Sequence, residues 1–144
     1  ANVTVLMDVG LERFNRLMAD SRFCVLPLAH ARMPCGHSTM VAFMHLGKAQ
    51  VVTNSSGVRD YVRENDNGLL VPPGDANAMA ERIEALWNDE TSCARMGAAA
   101  RRFAREKCSE RSSVRHFERY LRHYGVLSQD AMSGSEVRAA LSCE

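Results

Sequence analysis

The chain has 144 residues, 46% of them hydrophobic and 24% charged, a composition typical of one soluble globular domain. A formal net charge of +1 excludes the basic excess that drives phosphate-backbone binding, so we predict no nucleic-acid partner. No apolar run approaches the roughly 20 residues of a membrane-spanning helix, so we predict no transmembrane segment; peripheral membrane contact stays compatible with the sequence. Five cysteines without a Cys-x-x-Cys pair favour reduced thiols in a cytoplasmic protein over disulfides or a zinc site.

Strand and helix patterns alternate along the chain. Short apolar runs predict strands, and apolar residues recurring every three or four positions predict helices. In chain order the predicted strands cover 2–7, 23–26, 50–53 and 68–71. The predicted helices cover 11–20, 40–46, 58–63, 76–87, 91–103 and 110–124. This alternation predicts an α/β fold, a Rossmann-like parallel sheet with helices on both faces.

Capping residues mark several of these helix ends. Asp75, Thr91 and Ser109 are predicted to cap the N-termini of the last three helices. Gly47 is predicted to close the apolar helix before it, with Lys48 at that helix's negative end. After Gly125 the residues become small and polar, so we predict one domain over 1–124 and a mobile tail over 125–144.

The segment between the second and third predicted strands is suited to an anion. No Asp or Glu occurs between Asp20 and Asp60, and a helix is predicted to begin just after Gly36. Backbone N–H groups and the helix dipole put positive potential at such a helix start. Ligands collect at the carboxyl ends of parallel strands, where this loop and the Gly/Ser-rich loop after the third strand both lie. The sequence therefore favours a nucleotide or phosphate site at this edge.

Several residues of this segment have two interpretations. His37 either contacts a phosphate or is a surface loop histidine, and Arg32 either neutralises a diphosphate or is simply solvated. Ser38 and Thr39 are candidate helix caps, a role that is compatible with phosphate binding. The many arginines of the last third are interpreted as a solvated helix face in preference to a nucleic-acid patch.

Four passages resemble the retaining GT-B glycosyltransferases of group 1, family 4 type. Together they cover residues 2–124 in the order that the family has them. The passages are Asn2-Val3-Thr4 with Phe23-Cys24-Val25-Leu26-Pro27, then Gly36-His37-Ser38-Thr39 through Gly47-Lys48-Ala49-Gln50-Val51-Val52-Thr53, then Asn67-Gly68-Leu69-Leu70-Val71-Pro72-Pro73-Gly74-Asp75, and finally 78–89. The resemblance implies the C-terminal, nucleotide-sugar-binding half of a GT-B enzyme, incomplete at its N-terminus.

The resemblance also implies a function and a site. Such a half-domain binds a nucleoside-diphosphate sugar, and the enzyme moves the sugar to an acceptor hydroxyl in polysaccharide or glycoconjugate synthesis, without a cofactor or a metal. The partner it requires is an acceptor-binding N-terminal domain, so we expect this chain alone to be inactive. The site residues carried over by position are Gly36, His37, Ser38 and Thr39 at the diphosphate and sugar, and the loop 53–57, with Thr53, Ser55 and Gly57, near the nucleotide. Arg32 joins the predicted site residues because of its place in the acid-free loop.

Two departures from the family keep a second hypothesis open. The family often has two glutamates that hold the sugar hydroxyls and the ribose, and here Met33 and Ala42 (Val41 under a one-residue shift) stand in their places. The alternative is a degenerate, non-catalytic half-domain that acts as a binding or assembly module. A third hypothesis, an unrelated doubly wound phosphate-binding protein, lacks support because neither Gly-x-Gly-x-x-Gly nor a Walker loop occurs.

Overall fold

The computed structural model of the chain describes residues 3–29, 31–32 and 34–125. Three strands form a parallel sheet in the order β1-β2-β3: β1 (Phe23–Leu26), β2 (Ala49–Thr53) and β3 (Leu69–Val71). The helices are α1 (Leu11–Asp20), α2 (His37–His45), α3 (Ala76–Asn88), α4 (Glu90–Lys107) and α5 (Glu110–His123), with a short 3₁₀ turn at Val58–Asp60. The predicted α/β class with a parallel sheet is confirmed.

Strand β2 is the centre of the core. All five of its residues are buried, and alternate side chains face opposite sides of the sheet. Val52 joins a cluster with Met40 and Met44 of α2, whereas Val51 joins a cluster with Leu86 of α3. Helices therefore cover both faces of the sheet, which explains why its strands are apolar runs without alternation.

Gln50 connects α2 to the sheet. Its side chain is fully buried in β2, and its Nε2 donates to the carbonyl oxygen of Met40 at 3.2 Å. A buried amide that donates to a helix carbonyl helps to fix the helix along its axis, because a shift would leave the buried N–H group of Gln50 without an acceptor. The start of α2, where the candidate site lies, is positioned by this contact.

The end of α2 agrees with the sequence in one respect and differs in another. Gly47 has φ +74° and closes the helix, as predicted. Lys48, in contrast, does not serve α2. Its Nζ donates to the carbonyl oxygens of Ala19 and Ser21, each at 2.6 Å, at the end of α1. The physical reason is the same, since a cation suits any helix C-terminus, but the helix is a different one.

The prediction of a first strand over 2–7 is wrong for its described residues, 3–7, which form no strand. Val3, Val5 and Met7 are about four-fifths exposed. Within the described part of the chain β1 pairs only with β2, so no neighbouring strand supplies a ladder for this segment. β-branched residues favour a strand only where such a neighbour exists, and the local pattern could not reveal its absence.

Helix starts confirm two predicted caps and correct a third. Asp75 accepts from the N–H of Ala78 at 2.8 Å, and Ser109 accepts from the N–H of Ser112 at 3.2 Å. The start of α4 is not capped by Thr91, because the Asp89 carboxylate accepts from the N–H of Ser92 at 2.9 Å. This hydrogen bond is the main reason that the pKa of Asp89 is lowered. The predicted helix 58–63 is also shorter, a single 3₁₀ turn.

The chain divides into two compact units, residues 1–104 and 105–144. The first contains the sheet and both apolar clusters. Within the second, α5 has no buried residue, and Phe117, Tyr120 and Tyr124 are more than half exposed. The predicted boundary at residue 124 stays a prediction, and the predicted mobile tail falls outside the described residues from 126 onward. In the described ranges, no helix combines the length and apolarity needed to cross a bilayer.

Candidate functional site

Two loops meet at the carboxyl edge of the sheet. One follows β1 and leads into α2, and the other follows β2 and leads into the 3₁₀ turn. The N–H of Ser56 donates to the carbonyl oxygen of Ala31 at 2.7 Å, which joins the two loops directly. The N–H of Leu28 donates to Thr53 Oγ1 at 3.0 Å and joins them again at their base. The structure therefore brings together the two loops that the sequence singled out.

The N-terminus of α2 has no side-chain cap. Gly36 is its N-cap, with φ +75°. The first intrahelical hydrogen bond runs from the N–H of Met40 to the carbonyl oxygen of Gly36 at 2.9 Å. The N–H groups of His37, Ser38 and Thr39 consequently have no acceptor within the helix. The first turn of α2 contains no acidic residue, so the positive end of the helix dipole is not neutralised locally.

Ser38 and Thr39 lie inside the first turn of α2 and do not cap it, because Gly36 occupies the N-cap position. Ser38 is exposed and Thr39 is half-buried. Their interpretation as helix caps is therefore wrong. Both residues belong to the first turn, whose backbone N–H groups have no acceptor within the helix.

His37 packs against the second loop. Its ring centroid lies 5.2 Å from that of Tyr61, with the two planes tilted by 51°. A Cβ added at Gly57 would lie only 3.1 Å from His37 Nε2, so the loop backbone touches the imidazole. The imidazole is half-buried at the junction of the two loops, and is not a solvated loop histidine. Tyr61 is a site neighbour that the sequence did not predict.

Thr53 and Ser55 are buried, at 3% and 6% exposure. Thr53 Oγ1 accepts a hydrogen bond from the N–H of Leu28, which links the ends of β1 and β2. Ser55 Oγ has no hydrogen-bond partner among the described residues. Buried hydroxyls normally find one, so Ser55 retains an unused donor and acceptor beside the loop.

The structure shows no polar contact with a described residue that would assign Arg32 or Ala42 a role. Arg32 is exposed on the loop after β1 and forms no ion pair with a described residue. Ala42 is half-buried on α2 and offers no polar group. Met33, the other position where the family has a glutamate, lies outside the described residues, as does His30.

Arg59 extends the site beyond the predicted residues through a contact with Asn54 of the predicted loop 53–57. Asn54 follows β2, and its N–H donates to the carbonyl oxygen of Val71 at 2.8 Å. Its Oδ1 accepts from Arg59 Nε at 3.0 Å. The one sequence signal was the interval without acids, which includes Arg59 among its bases. Its contact with Asn54 could not be predicted, because that contact depends on how the 3₁₀ turn folds back.

A cleft of about 320 Å³ opens at the strand ends on the α3 side of the sheet. Its walls are mainly apolar, with Thr53 as the one predicted site residue among them. The wall residues include Pro27, Leu28, Thr53, Pro72, Asp75 and Met79. A second cavity, of about 620 Å³, lies within the unit 105–144 between the end of α4 and α5 and has a basic lining that includes Lys107, Arg115 and Arg119.

The described residues contain no group of three His, Cys, Asp or Glu side chains that could hold a metal ion. Cys24 is buried on β1, as its apolar neighbours predicted, and burial raises the pKa of its thiol to about 12. Such a thiol is almost entirely protonated at neutral pH and is no nucleophile.

Comparison with known proteins identifies the family of the chain. The model of the family described as glycosyl transferases group 1 matches residues 1–103. The putative glycosyltransferase EpsD of Bacillus subtilis (strain 168) is 35% identical over 54 residues, which are 38% of this chain and 14% of that protein.

Solved structures share the fold. HepE from Anabaena, in complex with UDP, has a TM-score of 0.69 and 22% identity over 75% of this chain and 29% of its own. Sucrose-phosphate synthase from Thermosynechococcus elongatus has a TM-score of 0.66 and 23% identity over 77% of this chain and 27% of its own. The chain thus spans less than a third of these relatives. Since the family model matches well over half of its residues, the chain belongs to the group 1 glycosyl transferases.

Proposed function

We propose that the chain is the donor-binding part of a glycosyltransferase that uses a nucleoside-diphosphate sugar, in polysaccharide or glycoconjugate synthesis. The observation that carries this proposal is the open N-terminus of α2, which presents three backbone N–H groups in an acid-free turn. HepE, a protein of the same fold, was solved with UDP and with UDP-glucose, which supports a uridine nucleotide as the ligand to test.

The proposed chemistry uses these donors on the leaving group. In transfer, the bond between the anomeric carbon and the diphosphate oxygen breaks, and a bond to the acceptor oxygen forms. Negative charge builds on the departing diphosphate, so N–H groups of His37, Ser38 and Thr39 aimed at it bind the transition state better than the ground state. The acceptor hydroxyl would be positioned by a further domain. We accordingly expect this chain alone to bind donor without transferring it.

Ala42 affects how the donor is held. A methyl group at this place on α2 accepts no hydrogen bond from a ribose or sugar hydroxyl. In this proposal most of the binding energy therefore comes from the diphosphate contacts, and the nucleotide and its sugar conjugate should bind with similar affinity. Backbone donors and hydroxyls also suit a phosphate without a metal ion.

The test compares a charged and a neutral substitution at the exposed Ser38. Ser38→Glu places a carboxylate in the first turn of α2, where it stabilises the helix but repels a diphosphate. The matched control, Ser38→Gln, has nearly the same shape and no charge. By isothermal titration we expect UDP affinity to fall about tenfold in Ser38→Glu, and by less than about twofold in Ser38→Gln. The thermal midpoint should be unchanged or raised in Ser38→Glu, which excludes unfolding as the cause.

Absence of UDP and UDP-glucose binding by the folded wild-type chain would contradict the proposal. Equal affinities of the Glu and Gln variants would show that the nucleotide binds elsewhere.

A second candidate function is the degenerate binding or assembly module, and Ala42 is the observation that favours it. This hypothesis predicts that Ser38→Glu, placed in a longer polypeptide that contains this chain, leaves glycosyl transfer unchanged. A loss of transfer in that variant would reject it in favour of donor binding.

A further inference from the structure

We propose that Arg59 is a phosphate-binding residue of this site and that Asn54 is the residue that positions it. The inference rests on the proposed function, because it assigns a cation to the same diphosphate. Arg59 is not among the site residues predicted from the sequence, and Asn54 was predicted only as part of the loop 53–57.

The backbone of Asn54 is fixed to the sheet. It directly follows β2, and its N–H donates to the carbonyl oxygen of Val71 at the end of β3, at 2.8 Å. Asn54 is thereby held at the carboxyl edge of the sheet. Its side-chain oxygen then accepts from Arg59 Nε at 3.0 Å and draws the guanidinium toward that edge.

The guanidinium of Arg59 has hydrogen-bond donors beyond the one that binds Asn54. A guanidinium has five N–H donors, and the bond to Asn54 uses the one on Nε. The two terminal nitrogens retain their N–H groups, in the planar arrangement that suits a phosphate. Arg59 is exposed, so a ligand can reach them.

The positive charge of Arg59 is not neutralised by an ion pair that the structure shows among its described residues. Arg59 belongs to neither of the ion pairs Arg16–Glu12 and Arg82–Glu64. Its side chain is instead hydrogen-bonded to the neutral amide of Asn54, and the exposed Asp60 is its neighbour in the chain. A cation that is oriented by a neutral amide keeps its full charge for an external anion.

The loop that carries Arg59 lies close to the N-terminus of α2. Gly57, two residues before Arg59, lies against the imidazole of His37, the first residue of α2. The loop that carries Arg59 therefore borders the backbone donors of the proposed diphosphate site. The helix end supplies dipole and N–H groups, and Arg59 supplies the formal charge that this turn otherwise lacks.

The experiment compares two exposed arginines. Arg59→Gln and the control Arg63→Gln remove the same charge, and Arg63 is only four residues away, with its guanidinium over the ring of Phe103. We expect Arg59→Gln to lower the affinity for UDP about tenfold and to leave that for uridine, if measurable, unchanged. Arg63→Gln should bind UDP like the wild-type chain. Arg59→Lys should be intermediate, because it keeps the charge and loses the planar pair of donors.

Asn54→Ala tests the positioning role. It should lower UDP affinity less than Arg59→Gln does, and it should have no further effect when combined with Arg59→Gln, since its contribution passes through the arginine. An additive loss in the double variant would overturn the positioning role of Asn54.

The outcomes separate the two proposals. A wild-type chain that does not bind UDP contradicts the proposed function itself. A wild-type chain that binds UDP, with Arg59→Gln and Arg63→Gln equally affected or equally unaffected, overturns the assignment of Arg59 and leaves the α2 site in place.

Discussion

Gly97 allows the turn between α2 and β2 to lie directly on α4. A Cβ at this position would stand 2.1 Å from the carbonyl oxygen of Gly47, far inside any contact distance. Because the atoms that a Cβ would meet are the backbone carbonyl oxygen and carbon of Gly47, no rotamer change could make room for a side chain at position 97. The glycine is thus required by close approach, even though glycine lowers helix propensity.

We predict that Gly97→Ala destabilises the protein by about 2 kcal/mol or more. The overpacking cost exceeds the gain of about 1 kcal/mol from replacing a helical glycine. Urea unfolding followed by circular dichroism measures the difference. Ala98→Ser, exposed on the same helix, is the control and should change stability by less than about 0.5 kcal/mol. A stabilised Gly97→Ala variant would show that α4 does not approach the turn this closely.

At the scale of elements, capping residues and apolar runs were the most readable signals. β1 and β3 were predicted because each is a short apolar run, and α3 because Asp75 precedes a clean apolar stripe. β2 was predicted over 50–53, one residue shorter than in the structure. The cap of α4 was misplaced by two residues, since Asp89 and Thr91 are both good caps and only the fold selects one.

We expect Asp75→Ala to lower the free energy of unfolding by about 1 kcal/mol, because it removes the acceptor of the Ala78 N–H. Asp75→Asn keeps an acceptor oxygen and should lose no more than a few tenths of that. Equilibrium urea unfolding of the two variants provides the comparison. Equal stability of Asp75→Ala and the wild-type chain would mean that water replaces the cap at no cost.

At the site too, the sequence predicted the elements but not the contacts between their side chains. The loop with Gly36 and the loop with Gly57 were both predicted at the strand ends, because the parallel order places them there. The contact of His37 with Tyr61 and the hydrogen bond between Asn54 and Arg59 were not predicted. Both join residues of different elements or a folded-back turn, and no periodicity in the sequence encodes such pairs.

At the scale of the whole molecule, large apolar side chains remain on the surface. In the unit 1–104, Val3, Val5, Met7 and Leu11 are 75–81% exposed. In the other unit Phe117 and Tyr124 are more than 60% exposed. Within each unit, these exposed apolar side chains are available to a hydrophobic probe.

We predict that the native chain binds a hydrophobic fluorescent dye such as anilinonaphthalene sulfonate while its near-ultraviolet circular dichroism remains intact. The double variant Met7→Gln/Leu11→Gln should bind less dye, because it interrupts the apolar segment. Leu46→Gln, which changes a 40% exposed leucine elsewhere in the same unit, is the control and should bind as the wild-type chain does. Unchanged fluorescence in the double variant would show that the dye reads a different surface.

The bond from Lys48 to the end of α1 has a dynamic consequence. Apart from Met18, no residue of α1 is buried, so little apolar burial holds this helix, whereas β2 is buried along its whole length. Loosely held elements open in local fluctuations that leave the rest of the fold closed. The amide hydrogens of α1 should therefore exchange with solvent well before those of β2. Acetylation of Lys48 would remove the charge that anchors α1 and accelerate that exchange further, without opening the sheet.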